Sequence, residues 1–302
     1  MMKKTTIASL MIIGLFTAIF ILESCDKVSH DITSSWGSEP GGSGFSGTAL
    51  DYAYACEAVL GSLPEFKYED AIEVPMTKNG VHLAQSSENA SDCDHPFAFN
   101  VPCDPGNRVG RHQGLNPDGT ENSDVVFITL FRGSGLGVIG YKFSTGETCF
   151  FEIDDFGDFN SGPIPKPGDA NYNDFWGSPA QISQEFNCTS CHMATPFLHT
   201  PAVDQLRNPA DTSELLVPIT GLGPYTMVAE AWQAPPTNNI QNSCTSCHRP
   251  ACTQHFENYP LDELTMPAPF QNATDFDHST ISNADREAIR NWCSSLNLPK
   301  FK

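Results

Sequence analysis

Basic residues are scarce in this sequence. Lys and Arg number 16 against 36 Asp and Glu, leaving a formal net charge of −20 over 302 residues. A nucleic-acid binder needs a positive footprint to displace counterions, so no nucleic-acid partner is expected. A polybasic membrane-surface protein is excluded for the same reason. No Walker-type phosphate loop, GxSxG elbow or HExxH pair occurs, so the best-known signatures of nucleotide hydrolases, α/β-hydrolases and zinc peptidases are missing. Charged residues make up only 17% of the chain, while 39% hydrophobic and 10% aromatic residues suffice for a core, which excludes wholesale disorder. What is present in quantity is Gly and Pro, 23 of each, which predicts plentiful loops. There are also 11 cysteines, a number typical of secreted or metal-binding chains and unusual for a cytosolic enzyme.

The N-terminus reads as an address. Lys3 and Lys4 precede an apolar stretch from Ile7 to Leu22, which is short for a spanning helix and sits at the extreme end of the chain. Residues 1–24 are therefore expected to be a signal peptide. Leu22-Glu23-Ser24-Cys25 resembles the lipobox of bacterial lipoproteins, although Glu23 departs from that family's uncharged residue. The resemblance implies that Cys25 begins the mature chain and carries lipid, giving a membrane partner through a lipid anchor. An ordinary secretory signal, with Cys25 in a disulfide, is the alternative. Residues 25–47, including Ser38 to Gly47 with its repeated Gly and Ser, read as a flexible tether.

Two copies of one pentapeptide carry the chemistry. Cys188-Thr-Ser-Cys191-His192 and Cys244-Thr-Ser-Cys247-His248 both read CTSCH. Cys-x-x-Cys-His is the c-type haem attachment signature. About one helical turn separates the thiols, which matches the two vinyl-derived arms of the porphyrin, and the adjacent imidazole then lies beneath the iron. A zinc site does not require His directly after both pairs. A thioredoxin-like site needs one CxxC near a βαβ pattern, and none precedes these motifs. Two covalent haem c groups are expected, on Cys188, Cys191, Cys244 and Cys247, with His192 and His248 as proximal iron ligands.

After the second motif come Met266-Pro267 and then an amphipathic segment, 282–296, with Ser282 and Asp285 in a capping-box pattern and Ile289, Trp292, Cys293 and Leu296 on one face. Residues 232–298 thereby resemble a class I cytochrome c module. That resemblance implies Met266 as distal ligand of the second haem, where a thioether raises the potential. A core methionine is the alternative role. For the first haem, His199 and Met227 are the candidate distal ligands, and an open sixth position is the third option. Ser178-Pro179 predicts a helix start leading into Cys188.

Setting aside four cysteines for haem and one for lipid leaves Cys56, Cys93, Cys103, Cys149, Cys252 and Cys293. Fifteen pairings are open in principle, and free buried thiols are the alternative. Cys93 with Cys103 closes a short loop, Cys252 and Cys293 share the second module, and Cys56 with Cys149 is then left.

In the front half, residues 48–63 read as a helix and 64–124 as loop-rich. Val125–Phe131, Leu136–Phe143 and Thr148–Ile153 are rich in β-branched and aromatic residues, with turn clusters between them, which predicts an antiparallel meander. The acidic run 154–160 misses the EF-hand spacing and reads as a solvated loop. His82, His95 and His112 receive no role. The order of CDPGNRVGRH (103–112), meander, CTSCH and PF-HTP resembles bacterial lipid-anchored or secreted multihaem c-type cytochromes, a pattern that implies no particular substrate.

The expected organisation is signal peptide 1–24, tether 25–47, an N-terminal α+β domain 48–177, a first haem region 178–231 and a second haem module 232–302. The expected fold class is α+β, a small antiparallel β-containing domain followed by a mainly α-helical cytochrome c-like haem region. The leading functional expectation is electron transfer by an exported dihaem c-type cytochrome at a bacterial membrane, periplasmic or cell-surface. Its acidic surface would steer a redox partner with a basic docking face. The alternatives are a haem enzyme, peroxidase-like or acting on a small molecule at an open first haem, and a binding module in which the front half docks a partner. The short spacing of the motifs does not resemble the dihaem peroxidases.

Overall fold

The computed structural model describes residues 47–97, 101–153, 163–184, 188, 192, 195–221 and 223–228. The signal peptide, Cys25, the acidic run 154–160, Cys191 and the second module, with Cys244, Cys247, His248, Cys252, Met266 and Cys293, lie outside the described residues.

Thr48 opens the first helix, α1 (Ala49–Leu60), with a reciprocal capping box to Asp51. The helix stops at Gly61, whose φ of +85° suits glycine, and Ser62 then bridges to Leu115. After β1 (Ile72–Glu73) come β2 (Thr77–Lys78) and β3 (Val81–His82), a small hairpin turned at Asn79-Gly80. The main sheet follows: β4 (Arg108–Leu115), β5 (Glu121–Arg132), β6 (Gly135–Lys142) and β7 (Glu147–Ile153), each antiparallel to the next. The predicted meander is thus present, extended by one strand at its front. Short helices follow, among them α2 (Tyr172–Phe175), α3 (Pro179–Gln184) and α4 (Pro201–Asp204), and Cys188 and His192 are also helical. Next come β8 (Arg207–Asn208), β9 (Asp211–Leu215) and β10 (Thr226–Met227). The large sheet has the order β1-β4-β5-β6-β7-β10, and only the β7–β10 pair is parallel.

The expectation of a mainly α-helical haem region is corrected by this arrangement. The described residues are mostly β, 33% strand against 18% helix. Residues 195–228 pass Pro196, Pro201, Pro209, Pro218 and Pro224, each lacking an N–H; Pro201 fits the first turn of α4, and a proline inside a helix clashes with the turn before it, so helices here stay short. The segment contributes β10 to the free edge of β7 instead.

Side-chain alternation gives the sheet two distinct faces. On one, Cys149 is disulfide-bonded to Cys56 of α1, and the Phe151 ring lies 5.4 Å from Tyr52. Gly140 beside Cys149 leaves room on that face for Phe127 and Leu60. Closing a loop across 93 residues, this cross-link is worth about 4.6 kcal/mol in the chain-entropy account. A second disulfide joins Cys93 to Cys103, so both pairings expected among the described cysteines are present. On the opposite face, Phe150 and Glu152 of β7, Tyr141 of β6 and Arg111 of β4 meet the chain from 188 onward.

Gly146 is the joint that lets this return chain dock. Its φ is +82°, and a Cβ there would run into the backbone of Pro224 and Tyr225. Its carbonyl accepts from Thr226 N–H at 2.9 Å. Gly146→Ala is expected to lower unfolding free energy by on the order of 2 kcal/mol or more, read as a reduced denaturant midpoint at unchanged slope. On the α1 face, burial pushes the His112 imidazole below its ordinary pKa of 6.5, only partly opposed by Asp70. The unfolded chain therefore binds the extra proton first, so this contribution is complete above about pH 6.5 and fades as the pH falls below it. Unfolding free energy measured between pH 7 and 5 should fall less steeply in His112→Gln than in the parent.

Candidate functional site

The first CTSCH motif lies against the second face of the sheet. Gly177 donates its N–H to the carbonyl of Glu152 at 3.0 Å, which pins the entry to α3 on β7. Ser178 then caps α3 as its sequence predicts. Its N–H and hydroxyl both donate to Gln181 Oε1, and Gln181 N–H reaches back to Ser178 Oγ at 3.4 Å. The chain runs on to Cys188, whose sulfur is buried 3.7 Å from Glu152 Oε2. Glu152 also holds Arg132 at 3.1 Å.

His192 packs on Phe150, with ring centroids 5.3 Å apart and planes inclined by 55°. Cys188 and His192, four residues apart, therefore sit on Glu152 and Phe150, two residues apart on one face of β7. His192 Nδ1 is 2.8 Å from the carbonyl oxygen of Pro196. A carbonyl only accepts, so Nδ1 carries the hydrogen and Nε2 keeps its lone pair. Metal-ligating histidines have this arrangement, with the second ring nitrogen held by an outer acceptor. Burial pushes the imidazole down to about pKa 4, which keeps it in the neutral, ligating form at pH 7. From the other side, Tyr225 Oη donates to the His192 carbonyl at 2.5 Å. Tyr141 holds this corner together. Its ring meets Phe197 at 5.8 Å, and its hydroxyl donates to Pro224 O at 2.8 Å.

Both candidate distal residues of the first motif lie in this segment. Met227 pairs with Thr148 in β10, and its side chain is buried in the hydrophobic core. In parallel register it shares the face of Thr148 and Phe150, the face on which His192 packs. His199 precedes α4, where Thr200 Oγ1 accepts the N–H of Val203 and Pro201 stands in the first turn. Its Nδ1 lies 2.7 Å from Asp204 Oδ1, and its Nε2 is buried without a hydrogen-bond partner. Met227 in a core costs nothing. An unpartnered buried ring nitrogen costs roughly 1–3 kcal/mol, and a ligand to that nitrogen would offset it. The other described histidines are elsewhere. His82 sits near Glu73 at the surface, His95 is exposed, and His112 occupies the α1 face beside Phe66.

Cys188 is buried, and His192, four residues on, is half-buried with its Nδ1 held by a carbonyl, so the chemistry of the described part of the motif is compatible with haem attachment. Among the described residues there is no cluster of three or more His, Cys, Asp or Glu suited to hold a bare metal ion. Nor does any described helix have the length and apolarity to cross a membrane. No family model, curated protein or solved structure matches the chain. Sequence reasoning missed Phe150, Glu152, Pro196, Asp204 and Tyr225 as supports of the site. Asp204 alone carried a legible signal, an acid in the first turn of a helix begun by Thr200-Pro201.

Proposed function

We propose that the chain is an exported, lipid-anchored dihaem c-type cytochrome that transfers electrons at a bacterial membrane, in the periplasm or at the cell surface. The observation that carries this reading is His192. The residue that ends a CxxCH motif is half-buried against Phe150, neutral at pH 7 and held through Nδ1 by a carbonyl, which leaves Nε2 as the nitrogen that carries a lone pair. In this reading Cys188, Cys191, Cys244 and Cys247 bond the two porphyrins, and His192 and His248 are the proximal ligands. Met266 is the distal ligand of the second haem. Cys25 bears the lipid, and the excess of 36 acids over 16 bases attracts a redox partner with a basic face. Such a haem supplies a one-electron Fe(III)/Fe(II) couple whose potential follows its axial ligands. For the first haem, the unpartnered Nε2 favours His199 over Met227.

The intact exported protein should carry the mass of two covalently bound haems that acid and organic solvent do not extract. Fewer than two would overturn the dihaem reading. Met266→Ala should abolish the thioether-to-iron absorption band at the red end of the oxidised spectrum, and retention of that band removes Met266 as a ligand. A second pair of variants decides the first haem. His199→Ala should convert it to a high-spin form that binds carbon monoxide, while Met227→Leu should leave it low-spin. The reverse outcome assigns the ligand to Met227. A high-spin haem in the unaltered protein would instead favour the haem-enzyme alternative.

A further inference from the structure

The carboxylate behind His199 is the buried charged group that the cytochrome reading leaves without a task. Asp204 is only 5% exposed and lies deep in the segment that covers the sheet's second face. Its backbone is fixed from several directions. Its N–H donates to Thr200 O at 2.9 Å, and its carbonyl accepts from Arg207 Nη1 at 2.8 Å. Two residues earlier, Ala202 N–H donates to Pro96 O at 3.2 Å, which ties the helix to the disulfide-closed loop between Cys93 and Cys103. The carboxylate therefore occupies a set place, and the His199 ring cannot turn without breaking the 2.7 Å contact. Among the described residues no Lys or Arg is ion-paired with this carboxylate, so its charge is directed at the imidazole alone. Its second oxygen, like His199 Nε2, is buried and unpartnered.

A carboxylate that accepts the Nδ1 hydrogen fixes the ring tautomer and raises the electron density on Nε2. A more electron-rich axial nitrogen stabilises ferric over ferrous iron. A thioether ligand acts in the opposite direction. We propose that Asp204 is a positioning residue that orients His199 toward the first haem iron and strengthens it as a donor, setting that haem's potential below that of the second. This rests on the cytochrome reading and on His199 as the ligand, and it adds the residue that controls the potential.

The test is potentiometry of the holoprotein, followed by optical spectra. Asp204→Asn keeps the shape and removes the charge. It should shift the Fe(III)/Fe(II) equilibrium of the first haem toward the reduced form by about tenfold, equivalent to roughly 59 mV for one electron. The second haem should not move, and Asp204→Glu, which keeps the charge, should retain most of the parent potential. Unchanged potentials in an Asn variant that retains both haems overturn the proposal and leave the cytochrome reading intact. If the Asn variant does not accumulate, NMR of the reduced, histidine-labelled parent protein decides instead. An exchange-protected, downfield Nδ1 hydrogen on His199 supports the proposal, and its absence overturns it. Failure to find covalent haem in the parent overturns the cytochrome reading itself, and this proposal with it.

Discussion

The alternation of side chains along β7 is the constraint on which the rest depends. Cys149 and Phe151 point to one side of the sheet and Phe150 and Glu152 to the other. The first pair attaches α1, by a disulfide and by aromatic packing. The second pair receives Cys188 and His192. A shift of one residue in the β6–β7 register would exchange these roles, so the cross-link to α1 also fixes which side chains face the motif. Seven residues thus serve as both the core of the scaffold and the floor of the site.

That arrangement explains how a short, Pro-interrupted segment is held in one shape. The described residues from 195 to 228 have little regular structure of their own, chiefly α4 and the short strands β8, β9 and β10. Their order comes from anchors on the sheet. Arg111 reaches the carbonyls of Leu215 and Leu216 at 3.3 and 3.4 Å, Tyr141 reaches Pro224, and Gly146 admits β10. Each hydrogen bond contributes on the order of 1 kcal/mol. Together they hold the His192 carbonyl, the Pro196 carbonyl and the His199 ring against a rigid support.

The sequence was informative where a local pattern matched a local structure. The meander was legible because its strands are dense in Val, Ile, Phe and Tyr. The start of α1 was legible from its helical spacing, and both described disulfides followed from counting cysteines. Strand β4 was not legible. Its sequence, RVGRHQGL, has two glycines and several polar residues and reads as loop. It pairs because Gly110 and Gly114 leave space for Thr129 and Val125 on the neighbouring strand, which only the register reveals. The error in fold class arose at the same level. A five-residue motif does not dictate the fold around it: the described chain after it follows its prolines and the open edge of β7. His192 and His199 drew notice in the sequence by residue type and spacing, and the structure sets both in the segment that covers the sheet's second face. Their supports came from distant strands or a neighbouring turn and left no pattern to find.

The tie between Pro96 and Ala202 couples an oxidation event to the order of the imidazole–carboxylate pair. Pro96 lies inside the ten-residue span closed by Cys93 and Cys103, so the grip on α4 is firm only once those two thiols have joined. A chain folded under reducing conditions would keep α1's partner strands in sequence order yet hold Asp204 by one fewer fixed point. Closure of that small loop thus bears on the geometry around His199 through a single backbone hydrogen bond.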